Sequence, residues 1–185
     1  MTRPFTVRPV RPDDAAAITA IYNAYVLDTV ITFEVDTIDA REIARRVARL
    51  VDAGLPWFVA EDAALAADGG ADSAVLGYAY AAPFRDRAAY RHTLETTVYL
   101  HPDARARGIG TALYASLFAA LEELDPAQSP HAPVHSLIGA IALPNNASVA
   151  LHERFGMTRV AHLKAVGRKF DRWVDVGYWQ LTYDA

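Results

Sequence analysis

The chain has 185 residues, 52% of them apolar and 22% charged, with 18 Lys and Arg against 22 Asp and Glu for a formal net charge of −4. At roughly 150 residues per domain this length reads as one domain, 1–185, with side chains enough for a single sizeable core, and the composition excludes a disordered chain. The mildly acidic balance, pI about 5.8, argues against whole-surface binding to nucleic acid or an anionic membrane and leaves room for a local basic pocket. With no Cys in the chain, disulfides, thiolate metal centres and a cysteine nucleophile are excluded, and no metal site is expected. Met1–Arg11 is polar, unlike a secretory leader, and no apolar run approaches the roughly 20 residues of a membrane span. The expectation is a soluble, cytoplasmic protein.

Phe5–Arg8 alternates apolar and polar residues and reads as a strand. Pro12-Asp13-Asp14 opens a helix carrying Ile18, Ile21, Tyr22 and Tyr25 at helical spacing. Asp39, with Glu42 three positions on, forms a capping-box pattern. The helix it starts has an apolar face of Ile43, Val47, Leu50 and Val51 and ends at Gly54; Arg41, Arg45, Arg46 and Arg49 form its solvated face. Trp57–Ala60 and Ala74–Ala82 read as strands of a hairpin, joined by a polar loop over Asp62–Ser73. An Arg-bearing loop over Pro83–His92 leads to Thr93–Leu100, a strand dense in β-branched and aromatic residues that His101-Pro102 stops. A helix from about Gly108 follows, with Ile109, Leu113, Leu117 and Leu121 on one face. A proline-rich connection over Asp125–Pro133, a strand over Val134–Leu143 and a short helix over Asn145–Phe155 come next. Two last strands are expected, about Met157–Val166 and Trp173–Tyr183. Strands alternating with helices predict a mixed α/β domain.

The stretch Thr93–Thr111, TLETTVYLHPDARARGIGT, carries the most chemistry. It reads as strand, turn, Arg105-Ala106-Arg107-Gly108-Ile109-Gly110, then helix. A helix N-terminus offers unpaired N–H groups and a partial positive charge. Gly108 and Gly110 let a diphosphate approach the backbone, and Arg105 and Arg107 add cationic donors. It is neither a Walker loop, since no Gly-Lys-Ser/Thr follows, nor the dinucleotide fingerprint GxGxxG. Taken alone, this short pattern equally describes a surface turn with solvated arginines.

A second piece lies downstream, Pro144-Asn145-Asn146-Ala-Ser148-Val-Ala-Leu151-His152-Glu-Arg-Phe155-Gly156-Met157. The order RxxGxG helix, strand, NxxSxxLHxxxGM resembles the GNAT family of acyl-CoA N-acyltransferases over nearly the whole chain. Within it, Ile21-Tyr22-Asn23, Tyr90–Tyr99, Leu151-His152-Glu153 and Gly167–Gly177 resemble the phosphinothricin and methionine-sulfoximine N-acetyltransferases. The resemblance implies an α/β (α+β) GNAT fold, a mixed central sheet splayed at the cofactor site and flanked by helices. It implies acetyl-CoA as cosubstrate, a small glutamate-like amino acid as acceptor, and a homodimer, with no nucleic acid or membrane partner.

Residue by residue, the resemblance implies pantetheine pairing on the backbone of Val98, Tyr99 and Leu100. The diphosphate then rests on Arg105, Ala106, Arg107, Gly108, Ile109, Gly110 and Thr111, and Asn145 and Ser148 also contact the coenzyme. Asn145 is equally a good N-cap. Glu95 becomes the general base: an ammonium has no lone pair, and a partly desolvated carboxylate of raised pKa can remove its proton. A solvent-facing edge-strand Glu is the plain alternative. His152 occupies the place of a Tyr that protonates the leaving thiolate in many relatives, and reads as acid or relay, or as a buried His with a backbone partner. Arg87 and Tyr90 are expected to hold the acidic acceptor and Phe33 to line its pocket, while Lys169 and Trp173 lie in the connection before the last strand. Two other readings stand beside this one: transfer to a polyamine, aminoglycoside or protein N-terminus, and a non-catalytic CoA-binding sensor. The Arg-rich loop argues against a cationic acceptor.

Overall fold

The computed structural model describes residues 4–67 and 75–183. Among the described residues seven strands form one sheet: β1 (Phe5–Pro9), β2 (Trp57–Asp62), β3 (Val75–Pro83), β4 (Thr93–Leu100), β5 (Ser136–Leu143), β6 (Thr158–Lys169) and β7 (Arg172–Thr182). Their spatial order is β1-β2-β3-β4-β5-β7-β6. Every pairing is antiparallel except β4 with β5. The helices are α1 (Ala15–Asp28), α2 (Ala40–Asp52), the short α3 (Ala63–Ala67), α4 (Ile109–Glu122) and α5 (Asn146–Arg154).

The loop expected over 62–73 therefore begins with a helical turn, and its remainder, with Ala74, lies outside the described residues. A single 3-10 turn, Pro12–Asp14, precedes α1. Here Arg8 joins three segments: its guanidinium donates twice to Asp14 at 2.8 Å and once to Glu61 at 2.6 Å, tying β1 to β2 and to the head of α1.

Helix α2 keeps half of the expected capping box. Asp39 accepts from the Glu42 N–H at 2.8 Å, whereas the Glu42 carboxylate turns to Arg45 and Arg46. Ile43 and Leu50 are buried and Val51 is exposed, so the apolar stripe is narrower than its spacing predicts. Arg46 is not merely solvated: it also reaches Glu34 at 2.8 Å, connecting α2 to the segment 29–39. Strand β6 runs on to Lys169, well past the expected end at Val166.

Alternation along β4 puts helices on both faces of the sheet. Tyr22 and Tyr25 of α1 pack edge-on against Tyr99, at 5.4 and 4.9 Å between ring centroids. The Tyr114 hydroxyl of α4 meets Thr96, which points the opposite way. Ile109, Leu113, Leu117 and Leu121 are all buried, as predicted, and Tyr114 and Phe118 join them. Each such side chain contributes about 1.5–3 kcal/mol of burial. This packing holds β4 between α1 and α4, with its C-terminal half free on the β5 side.

Candidate active site

Strands β4 and β5 pair only at Thr93↔Ser136, Leu94↔Leu137 and Glu95↔Ile138. Beyond Glu95 they separate, while β5 continues in register with β7 through Leu143. The sheet thus opens into a gap that starts beside Glu95. Phe84 N–H bonds the Thr93 carbonyl and His101 N–H bonds the Leu76 carbonyl, so the odd-numbered residues of β4 face β3. By alternation the backbone of Val98 and Leu100 faces the gap, and that of Tyr99 is committed to its partner Tyr78. The Leu100 carbonyl accepts from Tyr25 Oη at 2.7 Å, which leaves Val98 the better placed for an extended ligand.

A cavity of about 420 Å³ occupies the gap. Glu95, Val98, Tyr99, Asn145, Ser148, His152 and Phe33 all line it, so the structure assembles these residues from distant parts of the chain. Asn145 also caps α5, its Oδ1 accepting from the Ser148 N–H at 3.2 Å, while the residue lines the cavity. A neighbouring hollow of about 270 Å³ lies at the N-terminus of α4, lined by Leu100, Ala106, Gly108, Ile109, Gly110 and Thr111. Gly108 holds φ +78° there, and a Cβ on it would meet nothing within 4 Å. The helix begins here, so its first-turn N–H groups lack intrahelical acceptors, and the space beside Gly108 is open, a setting that suits an anionic group. Arg105 lies beside it, its guanidinium 5.6 Å over the Tyr25 ring. Arg154 of α5 adds a cation to the same hollow that the sequence reading did not include.

The Glu95 carboxylate is half-buried, and among the described residues no hydrogen-bond donor meets it. Burial raises its pKa above the ordinary range, against the weaker opposing field of Arg85. A carboxylate in this setting holds a proton more tightly than one in water, as a base for an ammonium requires.

His152 is 3% exposed. Its Nδ1 lies 2.7 Å from the Ser148 carbonyl, which can only accept, so Nδ1 carries the proton. Burial lowers its pKa and keeps the ring neutral, more strongly than the Ser148 contact raises it. Nε2 is then an acceptor, 3.1 Å from the Tyr114 hydroxyl. That hydroxyl also reaches Thr96 Oγ1 at 3.4 Å, and Thr96 in turn donates to the Ile138 carbonyl. Burial drives the Tyr114 pKa up, so it remains an O–H donor. The imidazole lies against Gly139, where a Cβ would fall 2.3 Å from its Cδ2. The one Tyr114 proton goes to His152 Nε2 or to Thr96 Oγ1 and not to both, so the ordered line is Ser148–His152–Tyr114, with Thr96 as the alternative acceptor. Tyr114 lines the cavity and was absent from the sequence reading; its position one residue after the apolar Leu113 gave only a core signal.

Arg87 and Tyr90 do not reach the cavity. A 3-10 turn over Ala88–Tyr90 folds this loop outward; Arg87 is exposed, and Tyr90, 39% exposed, packs its ring on Phe84. Arg85 is the loop arginine whose charge is felt at Glu95. Lys169 ends β6 rather than lying in a connection, and Trp173 lies in β7, 66% exposed. Among the described residues no group of His, Asp and Glu is arranged to hold a metal ion. None of the described helices is long and apolar enough to cross a membrane.

Residues 7–177 match the family described as Acetyltransferase (GNAT) domain. The chain is 41% identical over 181 residues to a phosphinothricin N-acetyltransferase of Alcaligenes faecalis, covering 97% of this chain and 83% of the relative. It is 33% identical to an L-methionine sulfoximine/L-methionine sulfone acetyltransferase of Salmonella typhimurium, covering 97% and 95%. Among solved structures, a GNAT superfamily phosphinothricin acetyltransferase from Sinorhizobium meliloti in complex with AcCoA superposes with a TM-score of 0.85 at 34% identity, covering 96% of this chain and 88% of that one. An opened β4–β5 sheet, an anion-shaped turn at the next helix and matches of this extent agree: the chain belongs to the GNAT family and is an N-acetyltransferase.

Proposed function

We propose that this enzyme transfers the acetyl group of acetyl-CoA to the α-amine of a small glutamate-like amino acid, namely phosphinothricin, methionine sulfoximine or methionine sulfone, with Glu95 as general base. The observation that carries the reading is the placement of a half-buried, unpartnered carboxylate at the point where β4 and β5 part. Acetyl-CoA is the cosubstrate of the family, and its thioester supplies the activated acyl group. The residues present fit it: an extended pantetheine arm matches the free edge at Val98, and a diphosphate matches the turn at Ala106–Thr111 with Arg105 and Arg107 at its margin.

The remaining work falls to this chain. Glu95 takes a proton from the acceptor's ammonium, directly or through a water, and exposes the lone pair that attacks the thioester carbonyl. The Val98 N–H is the backbone donor facing that carbonyl oxygen. His152 Nε2 accepts from the Tyr114 hydroxyl and holds it at the cavity wall, where its O–H can turn to hydrogen-bond the departing sulfur, which leaves as the thiolate and takes its proton from solvent. A thiol of ordinary pKa near 8.5 leaves with modest assistance. With no cysteine in the chain, the transfer is a direct attack without an acyl-cysteine. Arg85 supplies positive charge at the acceptor end, suited to a carboxylate or phosphinate.

The chain acts as one domain and as a homodimer. Val160, Leu163 and Val166 on the edge strand β6, with Phe170 and Trp173, leave an apolar strip exposed that a second copy would cover. The test of function is thiol release with phosphinothricin, methionine sulfone and methionine sulfoximine side by side. Turnover of at least one supports the reading, and release only with polyamines, aminoglycosides or peptide N-termini replaces it.

A further inference from the structure

The acceptor end of the cavity is built from two segments far apart in the chain. One is the stretch 31–33, where Ile31, Thr32 and Phe33 all line it; the other is β6, which contributes Leu163 and Val166. Two contacts join these segments, and neither enters the chemistry above. Lys169 Nζ donates to the Thr32 carbonyl at 2.9 Å. The Phe33 ring lies on Gly167 so closely that a Cβ there would fall 2.1 Å from Cε2.

Both features are costly unless they serve a purpose. Lys169 is 4% exposed, and among the described residues no carboxylate comes within ion-pair distance of it. The ammonium has one carbonyl as hydrogen-bond acceptor, the Phe170 ring at 5.1 Å and the more distant charge of Glu34; burial outweighs that charge, so an apolar side chain of similar length would serve the fold about as well. Gly167 sits within a long strand, where glycine is the weakest choice for the strand itself. What the two residues secure together is the position of one ring. Thr32 is fixed from its other side by Tyr22, 2.8 Å between hydroxyls, so the Lys169 contact completes a brace on the backbone that carries Phe33.

We propose that Gly167 and Lys169 are positioning residues that set Phe33 as the acceptor-side wall, and thereby select the size of the amino acid acetylated. The inference rests on the acetyl-transfer reading above and adds to it the residues that determine specificity. A Cβ at 167 displaces the ring off the strand. Loss of the ammonium at 169 releases the backbone beneath it. Neither residue lines the coenzyme hollow, so the cosubstrate has no reason to respond.

The test is a set of steady-state measurements on Gly167→Ala, Phe33→Ala, the double variant and Lys169→Met. KM and kcat are read for methionine sulfone and for acetyl-CoA. The expectation is an acceptor KM raised about tenfold in Gly167→Ala, within the range by which ångström-scale misplacement lowers efficiency. The acetyl-CoA KM stays level, and Gly167→Ala adds nothing in the Phe33→Ala background. Lys169→Met raises the acceptor KM without lowering the urea midpoint, which separates positioning from loss of fold. Equal effects of Gly167→Ala in both backgrounds, or parallel rises for both substrates, overturn the proposal. Independently of turnover, the 19F resonance of 4-fluorophenylalanine placed at position 33 shifts in Gly167→Ala and in Lys169→Met; an unmoved resonance overturns the proposal. Absence of thiol release by the wild type with every amino acid refutes the proposed function instead, and the 19F signal still decides the role of Gly167 and Lys169.

Discussion

Replacing Glu95 with Gln removes the proposed base while keeping the size and hydrogen-bonding shape of the side chain. The wild-type carboxylate is half-buried, without a donor, and has its pKa raised by desolvation. A base so placed contributes about 10²–10⁴ in rate. We expect kcat to fall about 10³-fold, equivalent to about 4 kcal/mol of transition-state stabilisation. The pH profile carries the sharper signature. In the wild type, kcat/KM rises with pH as Glu95 deprotonates, so the acid limb lies above the ordinary glutamate value. In Glu95→Gln that limb vanishes, and the residual rate climbs with pH only as the acceptor amine itself loses its proton. Thiol release from acetyl-CoA with methionine sulfone measures both, and calorimetric titration with acetyl-CoA is expected to show unchanged affinity. Stability serves as the control. A carboxyl whose folded pKa lies above its unfolded one binds more protons folded, so it lowers stability as pH rises through that window. The Gln variant lacks this loss, and its unfolding midpoint at neutral pH does not drop. An unaltered kcat with the acid limb intact refutes the assignment.

Arg85→Met removes the positive field that opposes desolvation at Glu95, so the acid limb of kcat/KM moves to higher pH; a shift to lower pH or none contradicts the electrostatic coupling. Tyr114→Phe leaves His152 Nε2 without its partner in a buried setting and costs about 1–3 kcal/mol in urea unfolding, together with a loss in kcat that exceeds any change in acetyl-CoA affinity. Gly108→Ala has room for its methyl group but forces a left-handed backbone on an L-residue, a cost of about 1–2 kcal/mol. The methyl also stands where an anion approaches, so acetyl-CoA affinity falls while acceptor KM holds, as isothermal titration and initial rates can separate.

Much of this site was legible because its residues lie in two short runs. The β-branched and aromatic run 93–100 reads as a strand carrying Glu95, and Gly108 with Gly110 marks a helix start open to an anion. What the linear pattern could not carry is how strands part. The gap arises because β5 follows β7 while β4 follows β3, a property of the sheet and not of any one strand. For the same reason the strand backbone facing the gap belongs to Val98, not Tyr99: register against β3 decides it. The resemblance implies that Arg87 and Tyr90 hold the acceptor, and in this chain the turn over Ala88–Tyr90 leaves both outside the cavity lining. Tyr114 reads as one more apolar residue of α4 until His152 arrives from α5 to meet its hydroxyl. Lys169 reads as part of the connection before the last strand until β6 proves long enough to bury it against Thr32.

The central claim is that the opened seam between β4 and β5 receives the acyl donor beside Glu95. A crystal structure of the protein with acetyl-CoA tests it most directly. The account predicts the pantetheine arm lying along Val98, the diphosphate on the turn at Ala106–Thr111, and the thioester carbon within reach of an amine poised at Glu95. A seam closed by β4–β5 pairing through Leu100, with the coenzyme bound elsewhere or Glu95 turned away from the sulfur, contradicts it.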